Sequence, residues 1–256
     1  MNRARSSPTP EPPARWRSLE ELAEIGFTRS RLILANEAHD GLRRSVGIRR
    51  VGRRLIARLD SLGVRHLAME ALWPWEIADE ANERGVLPER TSGYLAQPDM
   101  RDLLGEALDR GWTLLPYEAD LRGRPQDLGE LDEVNWREAE QARNLVDAMA
   151  RIEDPGARVL VWCGNHHLAT RATDDGWVPM GARLRALTDE PFAIDQTPAV
   201  TFGDRPAAGG PWVRAFAAEI ARRDGAAGFL DEEAPEDWPH RGLAHAHLLL
   251  AAESLV

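Results

Sequence analysis

Short apolar runs alternate with segments of helical periodicity along residues 30–165 of this 256-residue chain. Such runs are typical of strands in a parallel sheet that is covered on both faces. They are LILAN (32–36), VRHLAM (64–69), WTLLPY (112–117) and RVLVWC (158–163). The segments with helical spacing are 41–62, 74–84, 98–110 and 133–152. This order predicts an α/β fold, with a largely parallel central sheet flanked by helices and joined by right-handed crossovers.

The first residues of the chain have a different pattern. Residues 1–17 are rich in Pro and Arg, which predicts a disordered tail. Ser18 and Glu21 then have the spacing of a capping box, which predicts a short helix through about Ile25.

Beyond residue 170 the periodicity is weaker. It favours a helix at 178–187, a strand at 192–195 and an amphipathic helix at 212–223. The apolar run 245–252 fits either a strand or a helix. Because the chain has no internal repeat and no second domain pattern, we predict one α/β domain over 18–256.

Composition and charge narrow the classes of function. A hydrophobic share of 43% and nine Trp fit a packed globular protein. The net charge of −10 argues against binding to nucleic acid or anionic membranes, which needs clustered positive charge. All 32 basic residues are Arg, so Schiff-base and P-loop lysines are excluded. Cys163 is the only cysteine, which excludes an intrachain disulfide and a cysteine-based zinc cluster and predicts a buried thiol.

Nothing in the sequence predicts a membrane segment. It has no run of about 18 apolar residues. Its first residues lack the apolar core of a signal peptide or a lipoprotein leader. We therefore expect a cytoplasmic protein that acts on a small-molecule or peptide substrate, contacts no nucleic acid or membrane, and has an oligomeric state that the sequence leaves open.

Acidic and imidazole side chains follow each of the four apolar runs. In chain order they are Glu37 and His39, then Glu70, then Glu118, then His166 and His167. The carboxyl ends of parallel strands share one edge, and the crevice outside that edge is where open α/β sheets bind ligands. Acids and imidazoles gathered there can perform general acid–base catalysis or hold a metal ion.

The first and last of these groups have informative local sequences. Glu37 and His39 project to the same side if the backbone stays extended, and a carboxylate beside an imidazole raises its basicity and fixes its tautomer. Asp40 suits the cap of the following helix. Gly164 and Asn165 favour a sharp turn, so we expect one of the two histidines that follow to be functional and the other supporting.

A polar stripe lies on the predicted helix 133–152. Arg137, Gln141 and Asn144 share one face because their spacing is i, i+4 and i+7. Beside a sheet edge these side chains could clamp a carboxylate or an oxyanion, or they could form a solvated stripe.

The predicted helix 41–62 has an Arg-rich face opposite its apolar residues. We favour a solvated face, with binding to an acidic partner as the alternative. The arginines are Arg43, Arg44, Arg49, Arg50, Arg53, Arg54 and Arg58.

Four motifs in this order resemble those of ChaN-like proteins, within the broad Tiki/TraB and erythromycin-esterase superfamily. Asn36-Glu37-Ala38-His39-Asp40 is similar to the G-E-x-H-D signature, with Asn36 where the family commonly has Gly. Ala68-Met69-Glu70 resembles the second strand, which ends in Glu. Arg137-x-x-x-Gln141-Ala142-x-Asn144 resembles the R-x-x-x-M/Q-A-x-N helix, and Gly164-Asn165-His166-His167 resembles G-N-x-H, which selects His167. The resemblance covers about 30–190.

The resemblance implies a mixed α/β fold with His39, Glu70 and His167 in the site. In the esterase branch, such a histidine is thought to activate water for ester or lactone hydrolysis. In the Tiki branch, similar His and Glu residues bind a divalent metal for peptide hydrolysis. ChaN itself is a haem-binding lipoprotein.

We therefore predict a hydrolase of an ester, lactone or amide bond. Glu37 orients His39, and His39 takes a proton from the attacking water. Glu70 and His167 form a second acid–base pair or, with His39, bind a divalent ion such as Mn²⁺, Co²⁺ or Zn²⁺. Arg137 stabilises developing oxygen charge. Glu118, His166 and Asn144 support these groups.

Two alternatives to a hydrolase stay open. One is a haem- or metal-binding protein without turnover, of the ChaN-like type. The other is a partner-binding protein that uses the Arg-rich helix 41–62 or the acidic segment 231–237.

Overall fold

The computed structural model describes residues 10–38, 42–91, 93–198 and 209–251, with backbone alone at 42–45 and 166. His39 and Asp40 therefore lie outside the described residues, as do the side chains of Arg43, Arg44 and His166. Within the described part, eight helices flank a seven-stranded, mostly parallel sheet. The predicted α/β class is confirmed.

The elements follow the predicted order, with some changes at the C-terminal end. The strands are β1 Leu32–Glu37, β2 His66–Met69, β3 Thr113–Pro116, β4 Val159–Gly164, β5 Phe192–Asp195, β6 Ala226–Leu230 and β7 Ala246–Leu250. The helices are α1 Leu19–Arg29, α2 Leu42–Asp60, α3 Glu76–Arg84, α4 Pro98–Asp109, α5 Glu130–Ala150, α6 Met180–Leu187, α7 Gly210–Ala215 and α8 Ala217–Arg222. Short 3₁₀ turns occupy Gly93–Ala96, Leu121–Gly123, Asn165–Leu168 and Asp231–Glu233.

The strand order is β3-β2-β4-β1-β5-β7-β6. Neighbouring strands are parallel except β6, which runs antiparallel to β7. The first six strands in this order therefore end at the same edge of the sheet, here called the carboxyl edge. The turn after β4 lies between the ends of β2 and β1, at the centre of that edge.

Both faces of the central strands are buried, which explains why these strands are apolar throughout. All six residues of β1 and of β4 are buried. On one face, Ile33 and Trp162 join an apolar cluster with residues of α1 to α4. On the other, Leu34 and Cys163 join a cluster with residues of α5 and α6. Cys163 is a buried thiol as predicted, and burial raises its pKa well above the ordinary value.

The C-terminal part differs from its periodicity. The predicted helix 212–223 is two short helices, because Phe216 leaves helical geometry with φ −114° and its ring packs on Trp16. The ambiguous run 245–252 forms β7. Strand β6 was not predicted, since its sequence AAGFL has little β propensity and is set in place by pairing with β7.

The predicted disordered tail is wrong for the residues just before α1. Arg17 pairs with Gly228 of β6 in an antiparallel bridge, and its guanidinium forms an ion pair with Glu233. The Trp16 ring packs edge-on against Phe229 at 5.7 Å between centroids. Partial burial of this large ring offsets the entropy that is lost when the segment is ordered. Residues 1–9 lie outside the described residues.

The solvated Arg-rich face predicted for α2 is wrong at Arg49. Its side chain is 1% exposed, whereas Arg50, Arg53, Arg54 and Arg58 are exposed. Arg49 points inward because the buried Glu37 and the partly buried Asp99 lie beside α2. No helix in the described part of the chain is long and apolar enough to cross a bilayer.

Candidate functional site

His167 lies at the centre of the carboxyl edge, with an acid beside each ring nitrogen. It belongs to the 3₁₀ turn Asn165–Leu168 directly after β4. Its Nδ1 atom is 2.8 Å from Oε1 of Glu138, and its Nε2 atom is 3.6 Å from Oε2 of Glu70. Its side chain is 14% exposed. The imidazole is therefore sheltered, but one side stays accessible.

Glu138 is held by hydrogen bonds that leave it little freedom. Its side chain is 1% exposed, on the inner face of α5. Trp177 donates its indole N–H to Oε1 at 3.2 Å, and the backbone N–H of Met180 donates to Oε2 at 2.6 Å. Met180 is the first residue of α6, so the carboxylate also lies at a helix N-terminus, where negative charge is favoured. A carboxylate fixed in this way orients the histidine ring.

These contacts change the titration of His167. Burial disfavours the charged ring and by itself lowers the pKa. The close contact with Glu138 and the negative charges of Glu70 and Glu138 act in the opposite direction and outweigh burial. The pKa of His167 is therefore raised, and the folded protein holds the imidazolium more firmly than water does.

The polar stripe of α5 binds the ends of β2 and β3 instead of lying in solvent. Arg137 holds both carboxylate oxygens of Glu118, with Nε 3.0 Å from Oε1. The Gln141 amide donates to Oε1 of Glu118 at 3.0 Å and lies 3.4 Å from Oε2 of Glu70. Asn144 donates to the backbone carbonyl of Glu118 at 2.9 Å. The stripe thus clamps a carboxylate, which was one of the two interpretations of its sequence. The carboxylate is that of Glu118, within the protein.

A cavity of about 560 Å³ opens beside this cluster. Glu70 and Glu118 border it on the acidic side, and Trp73, Tyr94 and Arg90 border it elsewhere. The remaining described lining residues are apolar, so the cavity combines a hydrophobic wall with convergent polar groups. Ligand sites commonly have this composition.

Glu37 is buried at the end of β1 with an arginine as its partner. Arg49 holds both of its oxygens, with Nε 2.9 Å from Oε2 and Nη2 3.0 Å from Oε1. The third guanidinium nitrogen lies 2.6 Å from Asp99, and the guanidinium stacks on Tyr94 at 4.6 Å. Burial opposes the charge of Arg49, but Glu37 and Asp99 outweigh it and raise its pKa. The carboxylate predicted to orient His39 is thus held in a rigid position.

Asn36, where the ChaN-like motif commonly has Gly, joins two loops of the carboxyl edge. Its amide N–H groups donate to the carbonyl of Asn165 at 2.7 Å and to Oδ1 of Asp195 at 3.0 Å. Its Oδ1 accepts from the backbone of Gln196 at 2.7 Å. The residue therefore links the turn that carries His167 to the end of β5.

Two sets of residues at this edge were missed by sequence reasoning. Glu138 occupies the apolar stripe of α5, at i−3, i−4 and i−7 from the buried Gln141, Ala142 and Leu145. An acid in such a stripe indicates a buried partner, so the helical spacing was the signal that could have identified Glu138. Asp195 is the last residue of the apolar run FAID, just as Glu70 follows the apolar end of β2. The search for acids at strand ends would therefore have identified Asp195 as well.

Asp195 has no exposed side-chain surface and has histidine partners. His240 Nδ1 lies 2.7 Å from Oδ2, and His247 Nδ1 lies 3.9 Å from the same oxygen. Burial raises the pKa of Asp195, but the hydrogen bond from His240 and the charges of His240 and His247 outweigh it and hold the pKa well below its usual range. No sequence spacing signals these histidines, because only the pairing of β5 with β7 brings them to Asp195.

The predicted metal set is incomplete within the described residues. No group of three or more His, Cys, Asp or Glu in that part of the chain is arranged to hold a metal ion. Glu70 and His167 bring an oxygen and a nitrogen to 3.6 Å, near the roughly 3.4 Å that two ligands of a tetrahedral zinc ion have. The third predicted ligand, His39, lies outside the described residues, so metal and haem binding stay predictions.

No protein-family profile matches the chain, and no curated protein sequence is significantly similar to it. Solved structures share its fold. One described as bacterial protein toxins aligns at 18% identity and TM-score 0.52, covering 75% of this chain and 38% of the other. RRSP, a MARTX toxin effector domain from Vibrio vulnificus CMCP6, aligns at 18% identity and TM-score 0.51, covering 72% and 36%. ChaN of Campylobacter jejuni, solved with cofacial haem, aligns at 11% identity and TM-score 0.49, covering 91% of each chain.

The chain spans somewhat more than a third of the length of the two toxin chains. Identities this low establish a shared fold and leave the activity open. Membership of the Tiki and erythromycin-esterase branches stays a prediction from the motifs.

Proposed function

We propose that the protein is a hydrolase that cleaves an ester, lactone or amide bond in a small molecule or peptide. The observation that supports this most is the His167 imidazole between the carboxylates of Glu138 and Glu70. Glu70 borders the neighbouring cavity, which is large enough for a small substrate. A sheltered imidazole aligned by a fixed carboxylate is suited to proton transfer.

The two histidines of the motifs take different roles in this proposal. His39, beside Glu37, takes a proton from water as the water attacks the carbonyl carbon. The tetrahedral intermediate then collapses, and the bond to the leaving oxygen or nitrogen breaks. His167 donates the Nε2 proton to that leaving atom. The raised pKa of His167 favours this role, because a general acid has to be protonated when the bond breaks.

Arg137 retains a donor for the developing oxygen charge. Its Nε and Nη2 atoms are bound to Glu118, whereas Nη1 makes no hydrogen bond with a described residue. The side chain is 38% exposed, so a substrate can reach it. Glu118 acts as a positioning residue that holds the guanidinium at the site.

A divalent metal ion is compatible with this site if His39 completes the ligand set. Glu70 and His167 would hold it with His39, and the ion would supply Lewis-acid activation of water or of the carbonyl. Native mass spectrometry of the wild type and His167→Gln, each with Mn²⁺, Co²⁺, Zn²⁺ or haem, checks this version. A stoichiometric metal adduct that the variant loses places the ion at this site, whereas a haem adduct favours the non-catalytic alternative.

The direct test compares two histidine variants on a panel of esters, lactones and peptides. His167→Gln is expected to lower kcat/KM by about 10²- to 10⁴-fold, the usual contribution of a general acid or base. His66→Gln is the matched control, because His66 is half-buried and begins β2, at the end of that strand away from the carboxyl edge. Activity within a few-fold of wild type in His167→Gln would contradict the proposed mechanism.

A further inference from the structure

A second cavity lies between two loops near the carboxyl edge. Its volume is about 450 Å³, and segments 169–173 and 239–243 form its walls. The polar side chains that border it are Arg171, Thr173, His240 and Arg241. No Asp or Glu is among the described residues that line it. The cavity wall is therefore basic, although the chain has a net charge of −10.

His240 is held against the wall by a carboxylate that solvent does not reach. Asp195 accepts the His240 Nδ1 contact at 2.7 Å, and Thr197 and Asn36 bind the other oxygen of Asp195. The His240 side chain is 18% exposed, and its Nε2 atom makes no hydrogen bond with a described residue. Since Asp195 fixes the ring through Nδ1, Nε2 is the atom left for a ligand.

The two arginines of this cavity differ from most others in the described chain. Arg171 and Arg241 are exposed, and neither forms an ion pair with a described carboxylate. The nearby carboxylate of Asp231 accepts from His247 and from the backbone of Gly242. Both contacts are to Oδ1, and Arg241 acts on Asp231 only through its charge, without a direct ion pair.

Gly242 lets the chain lie close to one of these guanidinium groups. Its φ is +76°, and a Cβ atom added there would lie 3.2 Å from Nη2 of Arg171. A larger residue would be strained by this backbone and would crowd the guanidinium. The loop therefore places Arg171 beside the cavity without covering it.

From this geometry we propose that the cavity binds the anionic group of a small ligand, either a phosphate or a carboxylate. Arg171 and Arg241 supply guanidinium donors, which match both oxyanions in geometry. His240 supplies the third contact as an imidazolium, since Nδ1 then donates to Asp195 and Nε2 carries the second proton, which it donates to the anion. Phosphate and carboxylate oxygens accept the same hydrogen bonds from these side chains, so the experiment compares the two anions directly. The proposal does not rest on the hydrolase proposed above.

The test measures binding of inorganic phosphate and of acetate to the full chain by isothermal titration calorimetry. The variants are Arg171→Gln, Arg241→Gln and His240→Gln. The matched control is Arg214→Gln, since Arg214 is an exposed arginine of α7 that does not border the cavity and forms no ion pair with a described carboxylate. Each arginine variant lowers the net charge by one, so the control measures the general effect of charge.

We expect saturable binding of at least one of the two anions to the wild type. Each cavity variant weakens it about tenfold or more, since a hydrogen bond to a charged group is lost, whereas Arg214→Gln changes it less than twofold. Preference for phosphate identifies a phosphorylated ligand, and preference for acetate a carboxylate. The absence of saturable binding to the wild type, or equal losses in Arg171→Gln and Arg214→Gln, overturns the proposal. Thermal unfolding checks that each variant folds. If His240→Gln does not fold, Arg171→Gln and Arg241→Gln still test the proposal, because both arginines are exposed.

Discussion

Glu138 decides how His167 behaves, although only His167 belongs to a recognisable motif. The histidine follows an apolar strand, where a local pattern makes it visible. The acid lies inside a helix, where its position resembles that of a core residue. Its charge is tolerated there because Trp177, the α6 N-terminus and His167 all contact it.

Glu138→Gln tests this dependence at the level of one residue. The variant removes a negative charge and keeps the size and burial of the side chain, so the pKa of His167 falls. The imidazolium is then lost at lower pH. The alkaline limb of the kcat/KM profile should shift towards lower pH, and an NMR titration of His167 should shift in the same direction.

Glu133→Gln is the control for that shift. Glu133 lies on the same helix, has a side chain that is 44% exposed and pairs with Arg124, so its neutralisation should leave the pKa of His167 nearly unchanged. Equal profiles for Glu138→Gln and wild type would show that Glu138 does not set the titration of His167.

At the scale of elements, α2 lies very close to β4. Gly52 faces Trp162, and a Cβ atom built on it would lie 2.5 Å from the indole ring. The helix can therefore approach the sheet only with glycine at this position. The sequence shows Gly52 inside an amphipathic pattern, but it does not show which strand the glycine approaches.

Gly52→Ala should lower the free energy of unfolding by about 1–3 kcal/mol, because the added methyl overpacks the contact with Trp162. Gly105→Ala on α4 is the matched control, since no atom lies within 4 Å of its added Cβ. That substitution should stabilise the protein by up to about 1 kcal/mol through helix propensity. Urea unfolding measures both, and equal effects of the same sign would show that the close approach is absent.

The helices and strands also show which elements can be predicted from sequence periodicity. Most helices and strands before residue 195 were predicted from periodicity, because two-sided burial makes the strands wholly apolar. Strand β6 and the break at Phe216 were not, because their conformations depend on β7 and on Trp16. Arg49 was placed on the wrong face, since helical spacing alone does not reveal a buried acid beside it.

At the scale of the whole molecule, Asp195 connects distant parts of the chain. It contacts Asn36 of β1, Thr197 after β5, and two histidines near β7. Asn36 in turn binds the turn that carries His167. The second cavity and the candidate catalytic site are therefore joined by one hydrogen-bonded network.

Asp195→Asn should destabilise the protein by about 3–5 kcal/mol, the usual cost of breaking a buried ion pair. Asp195 has a depressed pKa, so its contribution is present above about pH 4 and is lost as pH falls through its folded value. His247 has a raised pKa, because contacts with Asp195 and Asp231 outweigh its burial. Its contribution is present below about pH 6.5 and is lost as pH rises through its folded value.

The difference between wild type and Asp195→Asn should thus be largest between about pH 4 and 6.5 and decline on either side. Urea unfolding at a series of pH values checks this. Asp189→Asn is the control, since Asp189 is 73% exposed and its ion pair with Arg31 contributes at most about 1 kcal/mol. A loss of similar size in both variants would contradict the role given to the network.

The sequence by itself determined the α/β class, the succession of the first four strands along the chain and the edge at which Glu37, Glu70, Glu118 and His167 gather. These features are local, because strand ends and apolar periods can be recognised without knowing what packs against them. Only the tertiary structure decided the partners: Arg49 for Glu37, Glu138 for His167, and His240 for Asp195. Each partner comes from another segment of the chain, and a local sequence pattern does not show which distant segments come into contact. In each pair the partner outweighs the effect of burial and keeps the group charged, so the chemistry depends on the fold.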